Sequence, residues 1–386
     1  MKRHGRLLRF TALASTLDRF AMPPMLLAIS RDLDIPMAGV AGAAGAYFLA
    51  YGLMQPVWGL VSSRIGVIRS LRLAVLLAAL ATAGTGLATD AASLAAFRLV
   101  AGGGFSAAVP AALFSAGAAA APGRRHRDIT ALMAGVALGT AGATAGAGAL
   151  AATAGWRSAF LVTGVTALVA CLVLGRVPEL PAPRAAADGL FAPFRAVLRS
   201  GPARTLLLLA TVEGGILMGT LTFLPAAVSA TGSGAAVAGG VTAAYGVAVL
   251  ACAPIVGRLQ HHVPAAVLIA AGAALAAIGC ALAAVTAAPV AAAVVCLLIG
   301  AAWASMHSTF QTWATEVAPE AGLASVSLFA CALFTGSALG AVAGGPAVEA
   351  GRFGLVYGVA AALLVPLGVL GAAARARWRS PVAVAP

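Results

Sequence analysis

Charge is scarce in this sequence. Asp, Glu, Lys and Arg make up 9% of its 386 residues, against about a quarter in an ordinary soluble domain. With 61% of residues apolar, too little polar surface is left to face water on all sides, which excludes a soluble globular protein. Acids are scarcer than bases, 11 against 24, for a formal charge of +13. The bases fall in short clusters between apolar segments and build no continuous basic face, so no nucleic-acid partner is expected. A single lysine, Lys2, stands against 23 arginines, and no function follows from it. The cysteines Cys171, Cys252, Cys280, Cys296 and Cys331 all lie in apolar segments without metal or redox spacing. Neither the lone His307 nor the His261-His262 pair makes a metal site, and no cofactor is expected. No H-E-x-x-H, G-x-S-x-G or P-loop motif occurs, which leaves a membrane enzyme only as a remote alternative and excludes ATP as the energy source.

What the sequence does have is long apolar runs. Crossing the hydrocarbon core as a helix takes about 20 residues, and turn signals divide the chain into twelve such segments. They are 8–29, 39–61, 71–88, 93–120, 129–152 and 158–175, then 204–229, 236–257, 265–284, 289–314, 322–348 and 354–374. This defines an N-terminal bundle over 1–175, a polar linker over 176–203 and a C-terminal bundle over 204–386 with a short tail. The linker holds five prolines, Glu179 and Asp188. Its Phe191, Phe194 and Leu198, with Arg195 and Arg199, predict a short basic amphipathic helix on the inner surface that tethers the halves. The start has a signal-like basic region, but Asp18-Arg19 interrupts the apolar stretch behind it and no small-residue cleavage site appears, so it reads as an uncleaved first span.

Arginine placement orients the chain. Three external loops carry Arg31, Arg157 and Arg352, Arg19 and Arg98 lie within spans, and the other 19 bases fall on the opposite side. That skew places both termini in the cytoplasm of a multi-pass plasma or inner membrane protein. The halves also repeat. Tyr47, Pro56 and Gly59 recur 198 residues later as Tyr245, Pro254 and Gly257, and Met25-Leu26-Leu27-Ala28 recurs as Phe223-Leu224-Pro225-Ala226. Gly103 and Pro122 match Gly300 and Pro319 at 197, and Gly155 matches Gly351 at 196. One offset held across several helices is the mark of a transporter built from two structural units. Small residues crowd the spans, above all Gly135, Gly139, Gly142, Gly146 and Gly148 in the fifth, and let helix backbones approach closely.

After the second span, Gly59-Leu60-Val61-Ser62-Ser63-Arg64-Ile65-Gly66-Val67-Ile68-Arg69 resembles the G-x-L-a-D-R-x-G-r-k loop of the major facilitator superfamily. Ser63 replaces its acid and Val67-Ile68 its basic pair. Leu94-x3-Arg98-x2-Ala101-Gly102-x-Gly104 resembles the superfamily's fourth-helix signature, with Ala101 for the usual glutamine, and Gly155-Trp156-Arg157-Ser158-Ala159-Phe160 its GWR-x-x-F turn. Leu17-Asp18-Arg19-Phe20 is similar to a stretch common among its drug and metabolite exporters. Gly142-x3-Gly146 lacks the proline of the antiporter pattern. The resemblance covers the whole chain and implies an all-α polytopic fold of twelve transmembrane helices in two pseudo-symmetric six-helix bundles. It also implies alternating-access export of a small solute in exchange for protons, with uptake of a nutrient as the alternative. A monomer is expected, whose partners are the solute, protons and lipids. Gly59, Arg64, Gly66 and Arg69 would gate.

Five ionisable residues lie well within spans: Asp18, Arg19, Arg98, Glu213 and His307. Their cost in the bilayer makes each a functional candidate. The resemblance places the first, fourth, seventh and tenth helices around a central cavity, so Asp18 and Glu213 would line it from opposite halves. Asp18 is then the chief proton site and Glu213 a second one or a contact for a cationic group, which points to a moderately apolar, neutral or cationic solute. Arg98, within reach of Asp18 if their helices face, would pair with it and be released on protonation, or else snorkel to the headgroups. Arg19 cannot share the face of its neighbour Asp18. His307 and Gln311 share a face with Trp303 one turn earlier, and Tyr47, Tyr51 and Tyr245 supply amphipathic contacts. These make up the expected binding site.

Overall fold

The computed structural model describes residues 2–118, 125–179 and 192–378, and no strand occurs among them. Lipid dictates helix, because a helix alone satisfies its own backbone donors and acceptors without water or an edge partner. The first span is helix Lys2–Ala21, a 3-10 turn Pro23–Met25 and helix Leu26–Leu33; the adjacent prolines, lacking N–H groups, break it. The second and third are Met37–Ile65 and Val67–Thr85, and the fourth runs through Ala91–Phe105 and Ala108–Ala118. The fifth and sixth are Arg125–Ala154 and Trp156–Leu174. A linker helix, Ala192–Arg199, leads to the seventh, Gly201–Val228, the eighth, Gly234–Leu259, and the ninth, Ala265–Val285. The tenth runs Pro289–Ala302, a π turn Trp303–His307 and Ser308–Glu316; the eleventh and twelfth are Gly322–Glu349 and Phe353–Arg377.

Ten stretches among the described residues are long and apolar enough to span, and one of them, Gly201–Leu259, contains two spans joined at Ser229–Ser233. The first span is absent from those ten because Arg6, Arg9, Asp18 and Arg19 lower its hydropathy, yet it packs along the fifth and sixth. The architecture is therefore twelve helices. Asp90, outside the membrane, caps the fourth span by accepting from the Ser93 amide at 2.8 Å, and that bond holds its carboxyl below the usual range.

The second span packs on the fourth, the third on the sixth, the seventh on the eleventh, and the ninth on the twelfth. The halves meet along the second and eleventh spans and along the fifth and eighth. They also meet at one end, where the Pro23–Met25 turn rests on the seventh and eighth. Met22, Met25, Phe223, Ala226 and Val348 form a buried apolar cluster there.

The repeat is visible in this packing. Gly155 and Gly351, which open the sixth and twelfth spans, both have positive φ, +78° and +72°, a conformation that favours glycine. A Cβ on Gly102 would lie 2.2 Å from the Tyr47 carbonyl, and one on Gly300 2.7 Å from the carbonyl of Tyr245, its counterpart. Gly102, not Gly103, is thus the packing equivalent of Gly300. In the fifth span only Gly148 meets the eighth closely, 2.4 Å from the Ala235 carbonyl, while Gly139 meets Leu13 of the first. Gly135, Gly142 and Gly146 would have nothing within 4 Å. Accordingly Gly102→Ala is expected to reduce the folded, detergent-extracted protein several-fold in size-exclusion profiles, and Gly142→Ala to leave it unchanged. Equal profiles would refute the close-approach reading.

The linker helix packs through Val197, fully buried against the C-terminal half, whereas Leu198 is exposed. Phe194 is half-buried and Arg195 and Arg199 are exposed, as an amphipathic surface helix requires. Phe191 and Asp188 lie outside the described residues.

Candidate functional site

Five spans of the N-terminal half converge on one ion pair. Asp18 is fully buried on the first span, and Arg98 on the fourth is 1% exposed, so its side chain turns inward and does not snorkel. The guanidinium donates to the two carboxylate oxygens at 2.9 and 3.1 Å and to the Asp18 carbonyl at 3.4 Å. Thr82 of the third span donates to the same carboxylate at 3.0 Å. Tyr47 of the second lies under the guanidinium, 4.2 Å from it, with Phe160 of the sixth at 5.1 Å. Charge-assisted bonds and ring contacts thus take the place of water around both charges.

The C-terminal half holds a second acid and base, arranged differently. Glu213 on the seventh span is fully buried, and the His307 ring nitrogen lies 3.4 Å from each of its oxygens. That is a looser contact than the N-terminal pair, and the Oε1 atom has no hydrogen-bond partner. The π turn in the tenth span stacks His307 on Trp303 at 3.7 Å, with Phe329 of the eleventh at 5.7 Å. Trp303 continues to Tyr245, and Tyr245 to Phe20 of the other half, at 6.4 and 6.3 Å. Gln311, one turn beyond His307, is exposed. The face the two share therefore passes from closed to open between them.

The pairs are not images of one another. At the offset of 198, Asp18 and Arg98 correspond to Ile216 and Cys296, while Glu213 and His307 correspond to Ser15 and Val109. Each half has kept ionisable groups at a depth where the other is apolar or neutral.

Arg19 points away from Asp18, toward the junction of the halves. Its guanidinium lies 5.0, 5.2 and 5.7 Å from the rings of Phe20, Tyr51 and Phe334. Tyr51 packs on Phe334 of the eleventh span at 4.5 Å and on Tyr47 at 6.0 Å. Arg19 and Arg98 line one narrow recess with Met22, Pro23, Ala44, Tyr47 and Phe48. The structure thus joins Asp18, Arg98, Arg19, Tyr47 and Tyr51 on one side and Glu213, His307, Trp303 and Tyr245 on the other. Thr82, Phe20 and Phe334 belong to the site as well; nothing in the residue pattern marked Thr82 or Phe334. Among the described residues no group of His, Cys, Asp and Glu could hold a metal ion.

The loop after the second span lies away from this centre. Gly66 turns with φ +97°, and Arg64, Arg69 and Gly59 are exposed. Ser63 donates to the Leu60 carbonyl at 2.8 Å, within its own helix. The carboxylate in the loop comes instead from Glu179, which accepts from the amides of Ile68 and Arg69 at 2.8 and 3.2 Å. It caps the positive end of the third span, and a Cβ at Gly66 would stand 2.5 Å from it.

Solved transporter structures share this architecture. The chain superposes with a TM-score of 0.79 on a mutant of the nucleoside transporter NupG, at 13% identity, over 96% of this chain and 100% of that one. A bacterial homologue of the human lysosomal transporter Spinster, inward-facing and unoccupied, gives 0.73 at 18% identity over 99% of both chains. Its inward-facing occupied form gives 0.74 at 18%, over 96% and 94%. No curated protein sequence matches the chain. The sequence model of the Major Facilitator Superfamily matches residues 8–341. The twelve-helix fold, its two repeated halves and that match agree: the chain belongs to the major facilitator superfamily.

Proposed function

We propose that this transporter moves a small, moderately apolar solute by alternating access coupled to protons, with Asp18 as the proton site. The observation that carries the reading is the fully buried Asp18–Arg98 pair. A proton on Asp18 removes the charge that holds Arg98, and a buried arginine without its counter-ion must find another partner or move. Protonation thereby acts on five packed spans at once, and packed helices answer by switching between discrete arrangements. Glu213 and His307 supply a second acid and base near the solute, and the aromatic row from Phe20 to Phe329 gives it apolar walls. The outward-facing form would open at the Met22–Phe223 cluster, with Glu179, Gly66, Arg64 and Arg69 at the opposite, gating end.

The sign of coupling follows from solute charge. A cation competes with a proton for the same negative site, which gives exchange, and the Leu17–Phe20 stretch supports that export reading. An anion is held better once Asp18 is neutral, which gives cotransport, and the arginine surplus favours it. In a host stripped of its own pumps, expression is expected to change the accumulation of a subset of small aromatic solutes, and a proton uncoupler is expected to abolish that change. Accumulation that ignores the uncoupler would overturn proton coupling.

A further inference from the structure

Within the spans of the N-terminal half two arginines, Arg19 and Arg98, stand against one acid, Asp18. Asp18 is committed to Arg98 and Thr82, and Glu213 lies with His307 on the other half. Among the described residues Arg19 has no carboxylate within ion-pair distance and no hydrogen bond from any of its nitrogens, and its Nε is buried with no partner. The groups around it are aromatic: Phe20, Tyr51 and Phe334. Ring faces attract a cation but carry no negative charge, so the rings hold Arg19 without neutralising it.

Three features give this cation the character of a receptor. It opens on the recess that Arg98 also lines, so two guanidinium groups face one small space. The recess is bounded by the first, second and fourth spans, and Arg19 at its edge also touches Phe334 of the eleventh, at the seam between halves that opens and closes in alternating access. A guanidinium fork matches a carboxylate in two parallel bonds, and its aromatic neighbours suit a flat apolar body. A cationic solute would instead enter against the unanswered charge of Arg19.

We infer that the transported solute bears an anionic group, a carboxylate on a small apolar or aromatic body, and that Arg19 receives it. The inference rests on the transport reading above and departs from the neutral or cationic solute expected from Asp18 and Glu213 alone. Benzoate, benzamide and benzylamine share one ring and differ in charge, so they test it on the detergent-solubilised full chain. Benzoate is expected to raise the thermal unfolding midpoint and to bind about tenfold or more tighter than the other two. Arg19→Gln is expected to remove that preference while keeping the midpoint without ligand, and Arg19→Lys to restore part of it, because the charge returns without the fork. The proposal is overturned if benzamide or benzylamine matches benzoate, if neither benzoate nor hexanoate shifts the midpoint, or if Arg19→Gln responds as wild type does. Flux in proteoliposomes separates the two readings. Transport of neutral or cationic solutes with no benzoate effect removes the role of Arg19 and leaves transport standing. Benzoate binding without flux of any solute removes transport and leaves the site.

Discussion

Asp18→Asn is expected to abolish proton-driven solute accumulation in proteoliposomes while solute counterflow, which needs no proton, continues. The substitution keeps the size of the side chain, and the amide oxygen still accepts from Arg98 and Thr82, so the five spans that meet there keep their packing. It removes the one group there that can take a proton. If the pair is the coupling element, a fixed neutral residue locks the transporter in its protonated chemistry: the solute still exchanges across the membrane, but a pH gradient no longer drives it. Driven accumulation that survives at wild-type level would show the pair to be structural, with coupling elsewhere, and Glu213 would be the first place to look.

Arg98→Ala is expected to be the most damaging change in the protein. It leaves Asp18, which has no exposed surface, as a lone carboxylate among apolar helices. Breaking one side of a buried ion pair costs about 3–5 kcal/mol, a large part of the roughly 5–15 kcal/mol that holds a typical fold together. It also empties the space over Tyr47 and Phe160. Little folded protein should survive extraction and size exclusion. Combining Asp18→Asn with Arg98→Gln is expected to recover folded protein without proton coupling, because two neutral amides can satisfy one another. Recovery of the fold together with full coupling would refute the assignment, as would an Arg98→Ala protein as abundant as wild type.

How much of the site is legible in the sequence differs from residue to residue. Asp18, Arg98, Glu213 and His307 stand out because an ionisable group inside an apolar run is costly enough to need a reason. Their pairing is open at that level: Arg98 has snorkelling as an alternative, and Asp18 and Glu213 are expected to share one cavity. In the structure each acid meets a base of its own half, 80 and 94 residues away in sequence. Arg19 is readable as facing away from Asp18, since neighbours do not share a helix face. The three rings it meets are not, because one of them, Phe334, lies in the other half. Likewise the lost acid at Ser63 is plain in the sequence, but its replacement by Glu179, 111 residues from Ile68, is visible only in the fold.

Sequence by itself determined the medium, the helical class, the span count and the two-fold repeat. These follow from local composition and from regular spacing, which lipid reads directly through hydropathy and through the need to satisfy every backbone polar group. The tertiary structure decided which charges neutralise one another, that Gly102 and Gly300 are true counterparts, and that Arg19 keeps a charge no carboxylate among the described residues answers. Those outcomes depend on which faces of distant helices meet, and helix periodicity gives each face without giving its partner.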